Sequence, residues 1–444
     1  MGHLLSKRAV VTTDITSESA IRYWNCFGDD SQNAKEGVVL YPDGSCYYGP
    51  ISHGQREGFG IYIESDGKTM HESNWCFDAL HGTCSSVYPN GSKVLSTYIS
   101  GKQMTVQILQ HEPLHAEVSC PAVEPQVHTA VVCSPVSDES FGHRTRRFAS
   151  SQFFSTSSSA YVPRAPSRAE AWFVPMKQLD FTQRISSVSK CASCPVVYRG
   201  VWLGKDVVIR TYLNVVVTPT TMEYLSRMAR IRHPNICLFM AASFENEKLC
   251  IISEYIPKME GKVSTIQNIL HVAKGIAVGC AYLKKLGYAH KNLKPNNILI
   301  DQTMDVKLSD HFAKEFHNLY HSIPCCATDV PVYVAPESLR ANPFVPYGID
   351  SASDVYSFGI ILWELTTNQR PYANLSLAQL RILVGYAAYR ETHTNSLSKF
   401  IQRCIQQDPT KRGTFDRLVV ALNSMHSTAN SAAEDALISF ISGR

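Results

Sequence analysis

Three short turn motifs recur at an almost constant spacing in the first quarter of the chain. Tyr41–Gly44, Glu64–Gly67 and Tyr88–Gly91 begin 23 and 24 residues apart, and each ends in Asp-Gly or Asn-Gly. These dipeptides favour two-residue hairpin turns of type I′, in which both central residues have positive φ. Runs rich in β-branched and aromatic residues flank the turns, as at Val38–Tyr41 and Val94–Ile99. A fixed period of this length predicts stacked hairpins, each of which buries one face against the next.

Glycine and aromatic residues within these units follow a family pattern. They are Tyr48-Gly49, Gly54, Gly58-Phe59-Gly60, Asp66-Gly67 and, in the aromatic position of the next unit, Trp75. Residues 23–106 therefore resemble a set of MORN repeats whose first and last units are degenerate. The resemblance implies a twisted β-sheet that serves as an interaction surface, often near membranes. Lys and Arg are scarce in this region, which weakens a lipid headgroup site, so a protein-binding groove is the favoured interpretation and a membrane docking surface stays open as the alternative.

The composition of the whole chain favours a folded protein of two or three domains. Apolar residues make up 44% of the 444 residues, which rules out full disorder. The 42 basic and 38 acidic residues nearly balance, so nucleic acid is not an expected partner. No apolar run near the N-terminus approaches the ~18 residues of a membrane span, and no signal-peptide pattern follows Met1. The 14 cysteines are scattered, and we interpret them, Cys191 and Cys194 included, as reduced thiols of a cytoplasmic protein.

The N-terminal tail, residues 1–22, carries a lipidation motif. Met1–Ser6 fits the M-G-x-x-x-[ST] pattern for N-myristoylation at Gly2, and Lys7 and Arg8 suit an anionic membrane surface. One acyl chain gives only marginal membrane binding, so stable anchoring needs a second contact. Two alternatives stay open: peripheral membrane association through Gly2, or a small second residue without a lipid.

Residues 107–170 are expected to form a disordered linker. Ser, Pro and Thr are frequent there and no periodicity is sustained, so the segment cannot bury enough apolar area to offset the entropy of ordering. Arg144–Arg147 precedes Ser150 at a spacing that suits a basophilic kinase, which makes Ser150 a candidate phosphorylation site. The alternative, which we favour, is a solvated basic patch.

The second half of the chain carries a series of motifs in a fixed order. They are Val197–Gly200 with Val207–Arg210, Arg232–Ile236, Ile252–Tyr255, His290–Asn297, Lys307–Phe312, Ala335–Glu337, Ser353–Gly359 and Asp408–Arg412. Residues 171–425 resemble a protein kinase domain, and the residues within the motifs are most similar to those of the tyrosine-kinase-like group. The resemblance implies a bilobal fold. We therefore expect an α+β protein, in which a small all-β MORN-repeat sheet precedes the kinase-like domain and a tail, residues 426–444, follows it.

The positions that support the large lobe in this family are retained. Periodicity predicts an amphipathic helix over Ile266–Tyr282, and Val355–Leu365 is apolar almost all round, as a helix at the centre of a lobe should be. The resemblance implies that Asp354 accepts hydrogen bonds from the backbone of the catalytic loop and that Glu337 pairs with Arg412. These structural anchors are His290, Asp354, Glu337 and Arg412.

The position of the catalytic base departs from the family pattern. Phosphoryl transfer needs a carboxylate that orients the substrate hydroxyl and accepts its proton. The chain has Asn292 there, and an amide has no lone pair basic enough for that proton. Loss of a positioned general base costs about 10²–10⁴-fold in rate. Asp301 and Asp305 are the nearest downstream carboxylates, and neither is in register to replace it.

The position of the phosphate-binding lysine also departs from the pattern. Arg210 stands there, and its planar fork differs from an ammonium in size and geometry. The usual glutamate partner is one residue out of place, because Glu223 lies ten residues before His233 and Tyr224 occupies the slot nine before. The resemblance therefore does not carry a lysine–glutamate pair over to this chain.

The glycine-rich loop has lost its glycines. Counting back from Val197, its three glycine positions hold Lys190, Ala192 and Pro195, and proline also removes an N–H donor. Val208 replaces the alanine that normally lies over the adenine ring. We expect a crowded pocket that cradles phosphates poorly.

Some nucleotide and metal positions of the family survive. The candidates are Asn297, Asp310, Lys294 and Arg210 for nucleotide or metal, and Glu254 with Tyr255 for the hinge. The alternative, which we favour, is that Asn297 and Asp310 only satisfy hydrogen bonds of their own loops. We therefore expect no required cofactor, with weak binding of ATP and Mg or Mn as the open alternative.

Together these departures favour a pseudokinase, a catalytically impaired kinase-like protein. It is expected to act as a scaffold or allosteric adaptor for signalling proteins, an active kinase among them, with the MORN-like repeats as a second docking surface. Two alternatives stay open. The first is an active but atypical Ser/Thr kinase that uses ATP, and the second is a MORN-repeat binding module with the kinase fold as a passive spacer.

Overall fold

The structure is a computed structural model that describes most of two folded regions of the chain. The residues described are 10–12, 22–25, 36–89, 92–110, 172–185, 195–213, 215, 217–257, 263, 265–311, 331–341, 351–390 and 397–427. The described parts of Met1–Glu112 and Arg164–Arg444 form one compact unit. The predictions made for Gly2, Ser150, Lys190, Ala192 and nearly all of the linker concern positions outside these residues.

An antiparallel sheet of nine strands forms the N-terminal region, as the repeat period predicts. Its strands follow one another as β1-β2-β3-β4-β7-β8-β9-β10-β11, while β5 and β6 form a separate short hairpin. The bounds are β1 Val10–Thr12, β2 Arg22–Asn25, β3 Gly37–Leu40, β4 Cys46–Gly49, β5 Ile51–Ser52, β6 Gln55–Arg56, β7 Gly58–Ile63, β8 Met70–Cys76, β9 Ala79–Val87, β10 Lys93–Ile99 and β11 Lys102–Gln110. The sheet is longer than the predicted 23–106, because β1 pairs with β2 and β11 continues into the first residues assigned to the linker.

The first hairpin turn is not of the predicted type I′. Gly44 N donates to Tyr41 O at 3.0 Å, so the central residues of the turn are Pro42 and Asp43, and neither has positive φ; Gly44, which follows them, has φ +89°. Asp43 Oδ1 accepts a hydrogen bond from Ser45 N at 2.9 Å. The aspartate therefore caps the turn with its side chain, and the following glycine supplies the left-handed backbone. Gly67 (φ +68°) takes the same role in the second turn.

The small lobe is a five-stranded antiparallel sheet with one helix. The strand order is β12-β13-β14-β16-β15, and helix α1 spans Pro219–Arg230. Thr218 begins this helix, because its Oγ1 accepts from Thr221 N at 3.2 Å and Pro219 suits the first helical position. The strand bounds are β12 Leu179–Arg184, β13 Val196–Trp202, β14 Lys205–Tyr212, β15 Phe239–Glu245 and β16 Lys248–Glu254.

The large lobe is helical and contains both of the helices that the sequence predicts. The observed bounds are α2 Ile266–Lys285, α3 Pro336–Arg340, α4 Ser351–Thr367, α5 Leu377–Leu380, α6 Ser398–Cys404 and α7 Phe415–Ser427, with β17 Ile298–Ile300 and β18 Val306–Leu308 as a short hairpin. Helix α4 is the centre of the core, since Val355, Phe358 and Leu362 are each 0% exposed. Helix α5 continues directly into a π-helical turn, Arg381–Tyr386, and we refer to Leu377–Tyr386 as the 377–386 helix. Helix α7 continues through Ser427, into the first residues of the predicted tail.

The α+β fold class is thus confirmed: two kinase-like lobes follow an all-β N-terminal sheet. Among the helices that the structure describes, none has both the length and the apolar character that a bilayer crossing requires.

Candidate functional site

The loop that carries Asn292 is held by a buried carboxylate. Asp354, 3% exposed near the start of α4, accepts hydrogen bonds from the backbone N–H groups of His290 (2.6 Å) and Lys291 (2.9 Å). Asn292 N in turn donates to His290 Nδ1 at 3.3 Å. These are the contacts that the family resemblance implies for Asp354. The backbone of the loop is therefore supported as in the family, although the residue at the base position is an amide.

The two downstream acids serve a turn rather than the catalytic loop. Asp301 Oδ1 accepts from Thr303 N (2.9 Å), Thr303 Oγ1 (2.7 Å) and Asp305 N (2.9 Å), which closes the turn between β17 and β18. Asp305 Oδ2 accepts from Thr303 Oγ1 at 3.2 Å. Hydrogen bonding to Thr303 and Asp305 outweighs burial and lowers the pKa of Asp301. Both side chains are thus engaged within the hairpin that follows the loop.

An ion pair joins Arg210, at the position of the family's phosphate-binding lysine, to Asp310, at the position of its metal-binding aspartate. Arg210 lies on β14, Asp310 lies in the loop after β18, and Arg210 Nη2 is in direct contact with Asp310 Oδ1. The two side chains are 18% and 17% exposed. Burial alone lowers the pKa of Arg210, but the Asp310 carboxylate outweighs it and raises that pKa, so the guanidinium stays charged. Each group neutralises the other in a site from which most water is excluded.

Helix α1 does not bring a glutamate to Arg210. Glu223 Oε1 contacts Arg227 Nη2 one turn further along the same helix, and the Glu223 side chain is 60% exposed. The Arg227 guanidinium also lies 5.7 Å from the ring centroid of Tyr224, the residue in the family's glutamate slot. Glu223 therefore belongs to an exposed helical ion pair, and Arg210 takes its counterion from the metal loop instead.

The hinge residue Glu254 is tied to the strand that leads to Asp310. Lys307 Nζ on β18 donates to both carboxylate oxygens of Glu254, at 2.8 and 3.0 Å. Glu254 Oε1 also accepts from Leu238 N at 2.7 Å. The Glu254 carbonyl accepts a weak hydrogen bond from the Cys237 thiol at 3.8 Å. The hinge is thus already bonded to protein groups on both its side chain and its backbone.

The second hinge residue, Tyr255, lies against a charged side chain of the small lobe. The Arg199 guanidinium is 4.6 Å from the Tyr255 ring centroid, and Arg199 Nη2 pairs with Asp206 Oδ2 at 3.0 Å. Because all three side chains are at least partly exposed, this contact adds little stability, and it links the hinge to β13 and β14.

Two buried histidines accompany the catalytic and metal loops. His290 is 1% exposed, His311 is 5% exposed, and their ring centroids lie 6.3 Å apart. Burial lowers the pKa of His290 to about 4 and that of His311 to about 3, and for His311 the Arg210 charge acts in the same direction while the Asp310 carboxylate opposes it. Both rings are therefore neutral at pH 7. His311 stands where the family has phenylalanine, and a neutral imidazole keeps a buried aromatic ring at this position.

The residues at the metal position, as they are arranged, do not fit a metal-bound nucleotide. Magnesium requires oxygen ligands with near-ideal geometry, and the Asp310 carboxylate is already neutralised by a guanidinium. Asn297 is 4% exposed, and its Nδ2 donates to the Asn292 carbonyl at 2.7 Å. Lys294 is half-buried, and its carbonyl accepts from Asn297 N at 2.9 Å. The side-chain bond of Asn297 lies within its own loop, whereas Asp310 pairs with Arg210 of β14, so the favoured interpretation is wrong for Asp310.

Sequence reasoning missed two features of this cleft. It treated Arg210 and Asp310 separately and did not predict their contact. It also passed over Lys307, although a charged residue between Val306 (1% exposed) and Leu308 (0% exposed) was an available signal. A lysine in a buried strand needs a counterion, and Glu254 supplies it.

Fold and site together define a protein-kinase-like domain with an altered cleft. The family model for protein tyrosine and serine/threonine kinases matches residues 194–422, which is just over half of the chain. The chain belongs to this family.

Several curated proteins are similar to the same region. A probable serine/threonine-protein kinase of Dictyostelium discoideum is 32% identical over 285 residues, which cover 60% of this chain and 30% of that protein. The serine/threonine-protein kinases STY17 and CTR1 of Arabidopsis thaliana are 28% and 29% identical over 274 and 281 residues, each covering 58% of this chain. Those matches cover 46% and 32% of the two plant proteins. The chain thus spans less than half the length of these relatives.

Proposed function

We propose that this chain is a pseudokinase, whose kinase fold does not transfer phosphate and acts as a scaffold or allosteric partner for signalling proteins. The observation that carries the proposal is the Arg210–Asp310 ion pair. In this pair the cation that would hold phosphates and the carboxylate that would hold the metal are bonded to each other. Asn292 adds a second deficit, the loss of the general base, worth about 10²–10⁴-fold in rate.

The second candidate is an active but atypical Ser/Thr kinase that uses ATP with Mg or Mn. The names of the three relatives favour it, since all three are serine/threonine-protein kinases or probable ones. For this function Arg210 must leave Asp310, and some carboxylate must reach the substrate hydroxyl. The engagement of Asp301 and Asp305 in the β17–β18 turn argues against them in that role.

A phosphotransfer assay separates the two candidates. Full-length protein is incubated with radiolabelled ATP and Mg²⁺ or Mn²⁺, and Asp310→Ala serves as the blank because it removes the surviving metal position. We expect equal incorporation in both. Incorporation by the wild type that disappears in Asp310→Ala would overturn the pseudokinase proposal.

Nucleotide binding is tested separately by thermal shift. A ligand at about 100 times its Kd stabilises a protein by about 2.7 kcal/mol, which is readily measured. We expect no shift for the wild type at millimolar ATP. The double variant Arg210→Lys, Asn292→Asp restores the family residues at both positions, and a shift in that variant alone would assign the loss of binding to these substitutions.

We further propose that the N-terminal sheet, which resembles MORN repeats, is a docking surface for a protein partner, and that acylation at Gly2 brings a cytoplasmic protein to membranes. Alternation along β7 places Tyr62 on the face opposite Ile61 and Ile63, with Tyr47 and Trp75 beside it. The intact mass of the protein from eukaryotic cells, compared with Gly2→Ala, tests the lipid. If a partner is lost on Tyr62→Ser and unaffected by substitutions in the large lobe, the third candidate, a passive kinase spacer, is favoured.

A further inference from the structure

One face of the N-terminal sheet is buried against the large lobe. Val38, Ile63 and Met70 from β3, β7 and β8 share one apolar core with Ala378 and Ile382 of the 377–386 helix. Val38, Ile63, Ala378 and Ile382 are 0% exposed and Met70 is 4% exposed. The sheet is therefore packed on this helix as one element of a domain packs on another.

A buried arginine crosses the contact. Arg381, 1% exposed, donates from Nη1 to the carbonyls of Gly67 (3.0 Å) and Lys68 (3.3 Å) in the second hairpin turn. Its Nη2 reaches Met70 Sδ at 3.4 Å, and its Nε donates to the Leu339 carbonyl at 3.1 Å. Carbonyl oxygens from the second hairpin turn and from helix α3 thus share the hydrogen bonds of one buried guanidinium. Loss of either segment would leave part of this cation without a hydrogen-bond partner.

The turn fits the start of the helix only because it contains glycine. Gly67 has φ +68°, and a Cβ added there would lie 2.6 Å from Leu377 Cγ and 2.8 Å from Ala378 N. The equivalent glycine of the first turn, Gly44, has φ +89°, and an added Cβ would lie 3.8 Å from Ser65 Cβ, an ordinary contact. The two glycines share the same backbone requirement, and only Gly67 is pressed against the large lobe.

The same arginine connects the sheet to helix α3, Pro336–Arg340, which follows the metal-loop region. Leu339 O accepts from Arg381, Arg340 Nη1 donates to Gly385 O at 2.9 Å, and Tyr386 Oη donates to Arg340 O at 3.3 Å. Helix α3 has only five residues, too few to be stable without such contacts. Its position is therefore set in part by the 377–386 helix.

We propose that the N-terminal sheet is a built-in binding partner of the large lobe, and that its Gly67 turn, acting through Arg381, holds helix α3 in place. The contact goes beyond the proposed pseudokinase function, since it works in the same way whether or not the cleft transfers phosphate. It also removes one side of the sheet: the face that carries Val38 and Ile63 is covered by the large lobe and cannot meet an external partner.

Hydrogen exchange of the full-length protein tests the proposal. The amides to follow are those of α3, where Leu339 N donates to Ala335 O (3.0 Å) and Ala341 N donates to Glu337 O (3.1 Å). We expect Gly67→Ala to speed their exchange by about tenfold. Gly44→Ala is the matched control, because it has the same left-handed backbone without the clash, and it should speed exchange only around its own turn.

A second variant keeps the test decisive if Gly67→Ala disrupts the sheet itself. Arg381→Lys retains the charge, but an ammonium cannot reproduce the fork that reaches Gly67 and Leu339 together. We expect faster exchange in α3 for this variant as well, in a protein with wild-type secondary structure. If α3 exchange in Arg381→Lys stays within about twofold of the Gly44→Ala control, the sheet does not hold α3 and the proposal is wrong.

Discussion

The Arg210 guanidinium contacts the Asp310 carboxylate, although the two residues lie 100 positions apart in the chain. The contact brings β14 of the small lobe to the loop that follows β18 of the large lobe. The cleft therefore carries its own counterion where a phosphate and a metal would otherwise meet. Both groups are mostly buried, so we expect the pair to contribute to the stability of the fold. In the family the same two positions bind phosphate and metal.

Breaking this pair should cost stability. Arg210→Ala leaves the Asp310 carboxylate partly buried without its cation, and we expect the free energy of unfolding to fall by about 2–3 kcal/mol. Arg199→Ala is the control, because Arg199 and Asp206 form a pair that is 39% and 48% exposed and screened by water, so its loss should cost much less stability. Urea denaturation measures both. Similar losses in the two variants would contradict the structural importance of the Arg210–Asp310 pair.

Removal of the arginine should also expose a cation site. With the guanidinium gone, the Asp310 carboxylate becomes free to take another positive charge, so Mn²⁺ should raise the melting temperature of Arg210→Ala more than that of the wild type. The double variant Arg210→Ala, Asp310→Asn is the control, since it lacks the carboxylate. Equal responses to Mn²⁺ in the single and double variants would show that the ion binds elsewhere.

Acid should destabilise the fold through the two buried histidines. Their folded pKa values, about 4 for His290 and about 3 for His311, lie below the unfolded value of about 6.5. As the pH falls from about 6.5 towards 4, the unfolded state binds more protons and the free energy of unfolding decreases. His311→Phe removes one such group beside Arg210 and Asp310. At about pH 5 it should retain roughly 1–2 kcal/mol more of its neutral-pH stability than the wild type.

The control for this pH effect is His271→Gln, because the His271 side chain is 44% exposed and its Nε2 lies 3.8 Å from the exposed Asp305 carboxylate. Urea denaturation at about pH 7 and pH 5 gives the comparison for each variant. If His311→Phe loses as much stability on acidification as the wild type and His271→Gln do, His311 is not a source of the pH effect.

Deletion of residues 1–110 should destabilise the large lobe. The truncation uncovers Ala378, Ile382 and Leu383 and removes the Gly67 and Lys68 carbonyls from a buried Arg381. We expect a lower melting temperature and aggregation on heating, since apolar side chains that were buried against the sheet become exposed to water. Truncation after Ser427 is the control. An unchanged melting temperature for the N-terminal deletion would mean that the sheet adds no stability. Only in that case would loss of a partner by the deletion variant identify the sheet as the binding module.

Local sequence patterns predicted the elements whose stability is itself local or averaged over many residues. Helices α2 and α4 follow from apolar periodicity, because a helix core face or an all-apolar helix needs no information about its exact neighbours. The hairpin period likewise predicted the N-terminal sheet. The turn type was wrong because Asp43 bonds Ser45 with its side chain, a competing interaction that the Asp-Gly dipeptide alone does not reveal.

The contacts that shape the site were not predictable in this way. Arg381 stands alone in an apolar stretch, and its carbonyl partner at Gly67 is 314 residues away. The altered residues at 210 and 292 were visible from the resemblance, but the partner that Arg210 selects depends on how two lobes are juxtaposed. Single-sequence patterns report which face of an element is apolar, and they do not report which distant element covers it.

The separation of 314 residues between Gly67 and Arg381 has a consequence for biosynthesis. At translation rates of about 5–20 residues per second, the ribosome needs roughly 15–60 s to reach the helix after it has completed the second hairpin. During that interval the nascent sheet presents Val38, Ile63 and Met70 to the crowded cell with nothing of its own to cover them. We therefore expect chaperones to bind the nascent sheet before the 377–386 helix leaves the ribosome.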